Sequence, residues 1–320
     1  MAAHYLDFER PIGELEAKIE ELSKLSDGAG SGSFEPEIEA LRERAAKMRR
    51  EAYAQLDPWQ TLQVARHPER PHCIDYLAGL IDDFVELHGD RKFGEDHAIV
   101  GGLGRFRGIP VVAMGTERGH DTVTRIKHNF GAARPEAYRK AVRLMDMADQ
   151  FGLPVVTFVD TSGAYPGIGA EERGQGEAIA RAIERCLTLG VPMVATITGE
   201  GGSGGALALA AANKVMMLQH SIYSVAEPGA SASIVFRDST RAAFMAEAMK
   251  ITAEDLIGFS IIDRIIEEPA GGAHADPKAA IASVGDAIEQ ELHGLEGLSP
   301  DALREQRAAR FYAIGRVGLG

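Results

Sequence analysis

The sequence predicts an α/β fold built on a largely parallel sheet, with a pair of amphipathic helices in front of it. Three features lead there. Apolar runs of strand length (Val155–Val159, Met193–Ile197, Val215–Leu218) alternate with helical stretches (Pro135–Phe151, Ala170–Leu189, Ala206–Ala212). Repeated β–α–β units require right-handed crossovers, and hence parallel strands. Two of the strands also run into glycine-rich turns that open helices: Asp160–Gly167, and Gly199–Gly205 with five glycines in seven residues.

In chain order, Ile12, Leu15, Ile19 and Leu22 recur at helical spacing, as do Ile38, Leu41, Ala45, Met48 and Ala52. With the turn-forming Ser26–Ser33 between them, residues 1–56 read as a helical hairpin, either an arm over the main domain or an assembly element. Residues 57–74 read as an irregular connector, because Ala65–Pro71 is too rich in proline for a regular element. His67 and His72 flank that stretch; with no acidic or cysteine ligand at suitable spacing they read as surface histidines. The main domain spans 75–295. It opens with a hairpin of Ala98–Leu103 and Val111–Gly115 around a longish Arg105–Pro110 loop, and Ile222–Val225 adds a late strand. Residues 296–320 form a helical tail.

Composition narrows the function. A net charge of −13 over 320 residues argues against nucleic acid or an anionic membrane as partner. Cys73 and Cys186 form no CxxC, so neither a zinc site nor a disulfide framework is signalled. Leu187–Asn213 carries one charge, Glu200, but Pro192 and six glycines make a lipid-exposed helix implausible. The opening MAAHYLDFER lacks the apolar core of an export signal, so the expected location is the cytoplasm.

The glycine turns carry the chemistry. Loops after successive parallel strands emerge at one sheet edge, where ligands bind. N–H groups at a helix start lack intrahelical acceptors, and without Cβ atoms a ligand can approach them. Two such turns can hold a phosphate or a developing oxyanion. Gly199–Gly204 matches G-x-G-x-x-G, but positions 215–224 hold no acid for a ribose, so a dinucleotide fails. Gly201–Gly205 also matches G-x-S-x-G, which leaves open a hydrolase using Ser203 with Asp255 or Asp263 and His274, although an HGGG-type loop is missing. Glu247–Ile251 resembles a biotin-acceptor sequence, yet its helical composition makes Lys250 an ordinary surface lysine. Thr124–Arg143 holds six Lys/Arg against Glu136 alone, either a patch for coenzyme phosphates or an acidic subunit, or a solvated helix face.

Taken together, Leu6–Glu9, Pro11-Ile12, Ala65–Pro71, Ala98–Gly102, Asn129–Gly131, Tyr138–Ala141, Asp160–Gly167, Gly169–Ala180 (GAEERGQGEAIA), Gly199–Ala208, Tyr223–Val225 and Gly271–His274 resemble the alpha carboxyltransferase subunits of bacterial acetyl-coenzyme A carboxylases. The resemblance runs nearly end to end, with the carboxyltransferase-type motifs beginning near residue 39. Ser162, where proline is usual, and Glu227–Ser231 depart from the pattern. The resemblance implies a crotonase-like (ClpP/crotonase) spiral of repeated ββα units. It also implies transfer of a carboxyl group from carboxybiotin to acetyl-CoA, giving malonyl-CoA, the first committed step of fatty acid synthesis. The implied partners are a zinc-ribbon beta subunit in an α2β2 assembly, a biotin carboxyl carrier protein and biotin carboxylase. Carboxybiotin would be held on this chain and acetyl-CoA mainly on the beta subunit, with no metal here. The residues it points to are the backbone N–H groups of Gly163 or Ala164 and of Gly204 or Gly205 as an oxyanion hole. Gly201, Gly202 and Tyr165 would shape the biotin side, and Ser203 would be a bystander. Another crotonase-like acyl-CoA reaction through Ser203 is the alternative.

Overall fold

The computed structural model describes residues 4–28 and 34–316. Helices α1 (Arg10–Gly28) and α2 (Glu35–Tyr53) form the expected pair, and residues 29–33 of the predicted linker lie outside the described residues. Ile12, Ile38 and Ala45 are buried in their seam. The hairpin is closed at its base, where Tyr53 Oη donates to Glu9 Oε1 at 2.6 Å, and it meets the main domain where Tyr53 Oη lies 3.4 Å from His274 Nε2.

The connector departs from expectation. Pro58–Ala65 is a helix (α3), started by a reciprocal cap in which Asp57 accepts from Gln60 N and Gln60 accepts from Asp57 N. Pro58 at its first position costs the helix no hydrogen bond. His67 and His72 are buried rather than on the surface. His67 stacks on His274 with ring centroids 3.7 Å apart; its Nε2 meets the His4 carbonyl and its Nδ1 accepts from Glu69 N. Burial, with His274 alongside, lowers its pKa to about 4, so the ring is neutral. Glu9, His67 and His274 place ligand-type atoms within 4.8 Å of one another, but stacked imidazoles cannot aim their in-plane lone pairs at one ion.

Helix α4 (Cys73–Leu80) leads into strand β1 (Ile81–Glu86), which sequence reading missed because its residues Asp82, Asp83 and Glu86 are polar. Strands β2 (Ile99–Phe106) and β3 (Ile109–Thr116) make the expected hairpin with a shorter loop. Arg107 and Gly108 both have positive φ, the two-residue turn whose twist suits flanking strands. After α5 (Thr122–Lys127) comes α6 (Pro135–Phe151), ended by left-handed Gly152. Then β4 (Val155–Thr161), α7 (Ile168–Glu171), α8 (Gln175–Thr188), β5 (Met193–Gly202), α9 (Ser203–Ala210), β6 (Lys214–Leu218) and β7 (Ile222–Ser224) follow. The single helix expected over Ala170–Leu189 is broken at Gly174, whose φ is +80°. Helices α10 (Pro228–Phe236), α11 (Ala242–Ala248) and α12 (Ala253–Gly258), strand β8 (Arg264–Ile266), α13 (Pro277–His293) and α14 (Pro300–Ala313) complete the chain.

The sheet order is β1-β2-β3-β4-β5-β6-β8, with β7 beside the end of β5; β1–β3 pair antiparallel and the rest parallel. Both faces are covered. Val155, Val159, Met193 and Ile197 pack with α6, α8 and α9, while Val156, Phe158 and Val194 pack with α4 and α13. That double burial explains the uninterrupted apolar runs in β4 and β5. The tail is part of the body: Arg307 of α14 is fully buried and donates to the carbonyls of Leu187, Leu189 and Val191. Among the described residues no helix is long and apolar enough to cross a membrane.

Candidate active site

Strands β4 and β5 are parallel neighbours, so their two glycine loops leave the sheet side by side. The loops touch. A Cβ on Gly202 would lie 2.3 Å from the Ser162 C and O atoms, and one on Gly205 would lie 2.8 Å from Ala164 N and 2.9 Å from Gly163 C. Only glycine permits this approach. Gly201 is similarly crowded, with Tyr223 at 2.9 Å. The fold thus brings Gly163, Ala164, Gly202 and Gly205 together. Beneath them lies the buried Tyr138 hydroxyl, which has no hydrogen-bond partner among the described residues and sits 3.0 Å from the Gly205 Cβ position.

The backbone donors differ in availability. Gly163 N–H is donated to Thr161 Oγ1 at 3.0 Å, and the same hydroxyl donates to the Gly131 carbonyl at 2.8 Å. Ala164 N–H has no acceptor among the described residues. Gly204 and Gly205 stand in the first turn of α9, where N–H groups have no intrahelical acceptor. Three donors therefore remain at the junction. Ser203 is exposed at φ +51°, resembling a nucleophile turn, but its proposed partners are engaged elsewhere. His274 faces Tyr53 and His67, Asp263 binds Val215 N and Arg310, and Asp255 caps α12 through Thr252. The hydrolase constellation does not assemble.

An apolar cavity of about 300 Å³ opens next to this junction, lined by Ser203, Gly204, Leu207, Tyr223, Val225, Leu256 and others. Leu207, Leu256 and Ile261 were not legible as site residues; the Tyr223–Val225 motif was the available signal. Tyr165, half-buried, stands apart from that cavity, under the Arg134 guanidinium at 4.6 Å.

On the other side of the loops lies a charge network that sequence reading also missed. Glu200 is buried and receives Arg66 Nε at 3.1 Å and Nη2 at 2.6 Å. Arg118 Nη1 reaches Asp160 at 3.0 Å and Glu200 at 3.4 Å. Carboxylates on both sides hold the Arg118 pKa above its ordinary value, Asp160 foremost. A polar cavity of about 320 Å³ adjoins it, lined by Arg66, Arg118, Arg125 and Asp160 among others. The basic segment is neither a free patch nor a solvated face where it runs through α6. Arg139 pairs with Asp90 and Glu136, buried Lys140 with Glu95, and Arg143 caps the carbonyls of Leu87–Gly89.

Residues 5–315 match the family model described as acetyl co-enzyme A carboxylase carboxyltransferase-like. The chain is 73% identical over 319 residues, all of both chains, to the acetyl-coenzyme A carboxylase carboxyl transferase subunit alpha of Caulobacter sp. (strain K31). It is 65% identical, again over the full length of both, to the subunit of that name from Phenylobacterium zucineum. Among solved structures, the transcarboxylase 12S core superposes with a TM-score of 0.57 at 20% identity, covering 71% of this chain and 42% of that one. A Pseudomonas malonate decarboxylase heterodimer gives 0.55 at 17%, covering 67% and 88%. These distant likenesses establish the crotonase-type carboxyltransferase fold. The full-length sequence matches go further, and the chain belongs to the acetyl-coenzyme A carboxylase carboxyltransferase family as an alpha subunit.

Proposed function

We propose that this chain supplies the carboxybiotin side of an acetyl-CoA carboxyltransferase, and that Ala164, Gly204 and Gly205 form its oxyanion hole. The observation carrying the reading is the contact between two glycine loops that leaves three backbone donors without acceptors among the described residues. Transfer of the carboxyl group leaves negative charge on the biotin ureido oxygen, and acetyl-CoA must lose a methyl proton. The need is for donors aimed at developing charge rather than for a nucleophile. One such donor is worth roughly 3–4 kcal/mol of barrier. Gly163 contributes shape rather than a donor, because its N–H is spent on Thr161. Gly202 and Gly205 let the two loops close on each other, and the apolar cavity beside Gly204 suits an aliphatic bicycle. Gly201 and Gly202 hold the turn, and Tyr165 borders the approach from the Arg134 side.

The reading includes a beta subunit that carries a zinc ribbon and acetyl-CoA, an α2β2 assembly, a biotin carrier protein with biotin carboxylase, and a cytoplasmic location. Mixing the chain with a beta subunit and biotinylated carrier should yield carrier-dependent malonyl-CoA formation, while the chain alone is inert. Full activity from the isolated chain would overturn the shared-site reading.

A further inference from the structure

The β4–β5 ladder runs in register from Val155↔Met193 to Val159↔Ile197, slips, and resumes at Thr161↔Gly201. Asp160 sits in the slip. Its side chain is 6% exposed, and its Oδ1 alone accepts two bonds, from Glu200 N at 2.9 Å and Arg118 Nη1 at 3.0 Å. A Cβ on Gly199 would lie 2.6 Å from that same oxygen. The Asp160 backbone is fixed in turn, its N–H donated to Thr116 Oγ1 of β3 at 2.6 Å. One side chain thus replaces the missing rung and joins the first loop to the second. The brace continues outward, since Arg66 grips Glu200 and reaches Glu227, the residue that caps α10 through Ala230 N. Buried carboxylates persist only when paired, and Arg118 and Arg66 supply the pairing.

We propose that Asp160 is a positioning residue for carboxyl transfer: its Oδ1 pins the second glycine loop at Glu200 and so sets the separation of the Ala164 donor from the Gly204 and Gly205 donors. The assignment rests on the oxyanion reading above. Asp160 touches no reacting atom; it acts through backbone placement. Donors displaced by about 1 Å can cost on the order of 100-fold in rate.

Because one oxygen takes both bonds, asparagine can reproduce them with its own Oδ1, whereas alanine cannot. Asp160→Ala and Asp160→Asn are assayed in the complex reconstituted with beta subunit and biotinylated carrier, with amide hydrogen exchange across residues 196–206 of the full chain. Asp160→Ala should lower kcat about 100-fold, with KM for acetyl-CoA and carrier within twofold, and should release protection at the Glu200 amide. Asp160→Asn should retain that protection and lose less than threefold in kcat. Equal losses in the two variants would overturn the proposal, as would a fall confined to KM. Unchanged protection in Asp160→Ala would overturn the positioning role and leave the oxyanion reading standing. Lost protection with unchanged kcat would overturn the proposal by removing the loops from catalysis. Should Asp160→Ala not fold, Arg118→Met supplies the second test: it strips the counter-charge and should loosen the same amide with a fall in kcat, and an unmoved amide and kcat would refute the brace.

Discussion

Gly202→Ala is the sharpest test of the site. Gly202 has φ −97° and ψ 118°, an extended backbone that alanine adopts freely, so any effect is steric. The new Cβ would lie 2.3 Å from Ser162 C and O and 2.8 Å from Gly163 N, where ordinary contact begins at 3.4 Å. All three atoms are backbone, so relief requires the loops to part by about 1 Å, the distance that separates a productive from an unproductive arrangement. Overpacking of this kind typically costs about 1–3 kcal/mol of stability. The chain should therefore still fold, with a lowered Tm, while kcat in the reconstituted complex falls about 100-fold. KM for acetyl-CoA should stay within twofold, since that substrate is assigned to the partner. Gly204→Ala serves as the stability control. Its Cβ would meet only Ile179 Cγ2 at 3.4 Å, so Tm should hold or rise by the equivalent of about 0.4–1 kcal/mol. A Gly202→Ala complex with kcat within threefold of the parent would refute the reasoning, because the two loops would then not need to touch.

Three further outcomes follow from named contacts. Ser203→Ala should change kcat less than threefold, since no described residue partners its hydroxyl; a thousandfold loss would show that the hydroxyl takes part in the reaction. Glu268 is fully buried; burial would raise its pKa, but the two 2.8 Å bonds from Arg70 outweigh it and hold it at about 2 against an ordinary 4.5. A depressed carboxyl contributes stability above its unfolded pKa, so this contribution should vanish as pH falls from about 4.5 toward 2. Glu268→Gln should cost about 3–5 kcal/mol at neutral pH by leaving Arg70 charged and buried, and should flatten the acid limb of a stability–pH curve. Arg307→Met orphans the carbonyls of Leu189 and Val191, now bonded at 2.8 and 3.0 Å, and should lower stability by at least about 3 kcal/mol in denaturant titration.

Legibility followed the range of the interaction. The alternation of β4, α8, β5, α9 and β6 is local, written in spacings of two to four residues, and it was readable. Strand β1 was not, because an edge strand with Asp82 and Asp83 turned to solvent has no apolar signature. Helix α3 was hidden by the prolines that follow it, although its cap, Asp57 with Gln60, was available as a signal. The histidines were misplaced outward because a single His carries no mark of burial; only the stacking of His67 on His274, 207 residues further along the chain, removes it from water.

By itself the sequence determined that two glycine turns would meet at one sheet edge, where we propose that backbone N–H groups act. Parallel neighbours and missing Cβ atoms leave few other outcomes. Tertiary structure alone decided which of those N–H groups is free. Gly163 is taken because Thr161 Oγ1 bridges it to Gly131, a contact set by how the 129–131 turn packs beneath the loop. It also brought together Arg66, Arg118, Asp160, Glu200 and Glu227, which no local pattern connects. A buried charge finds its counter-charge only after the chain has closed, so that pairing belongs to the fold rather than to any stretch of sequence.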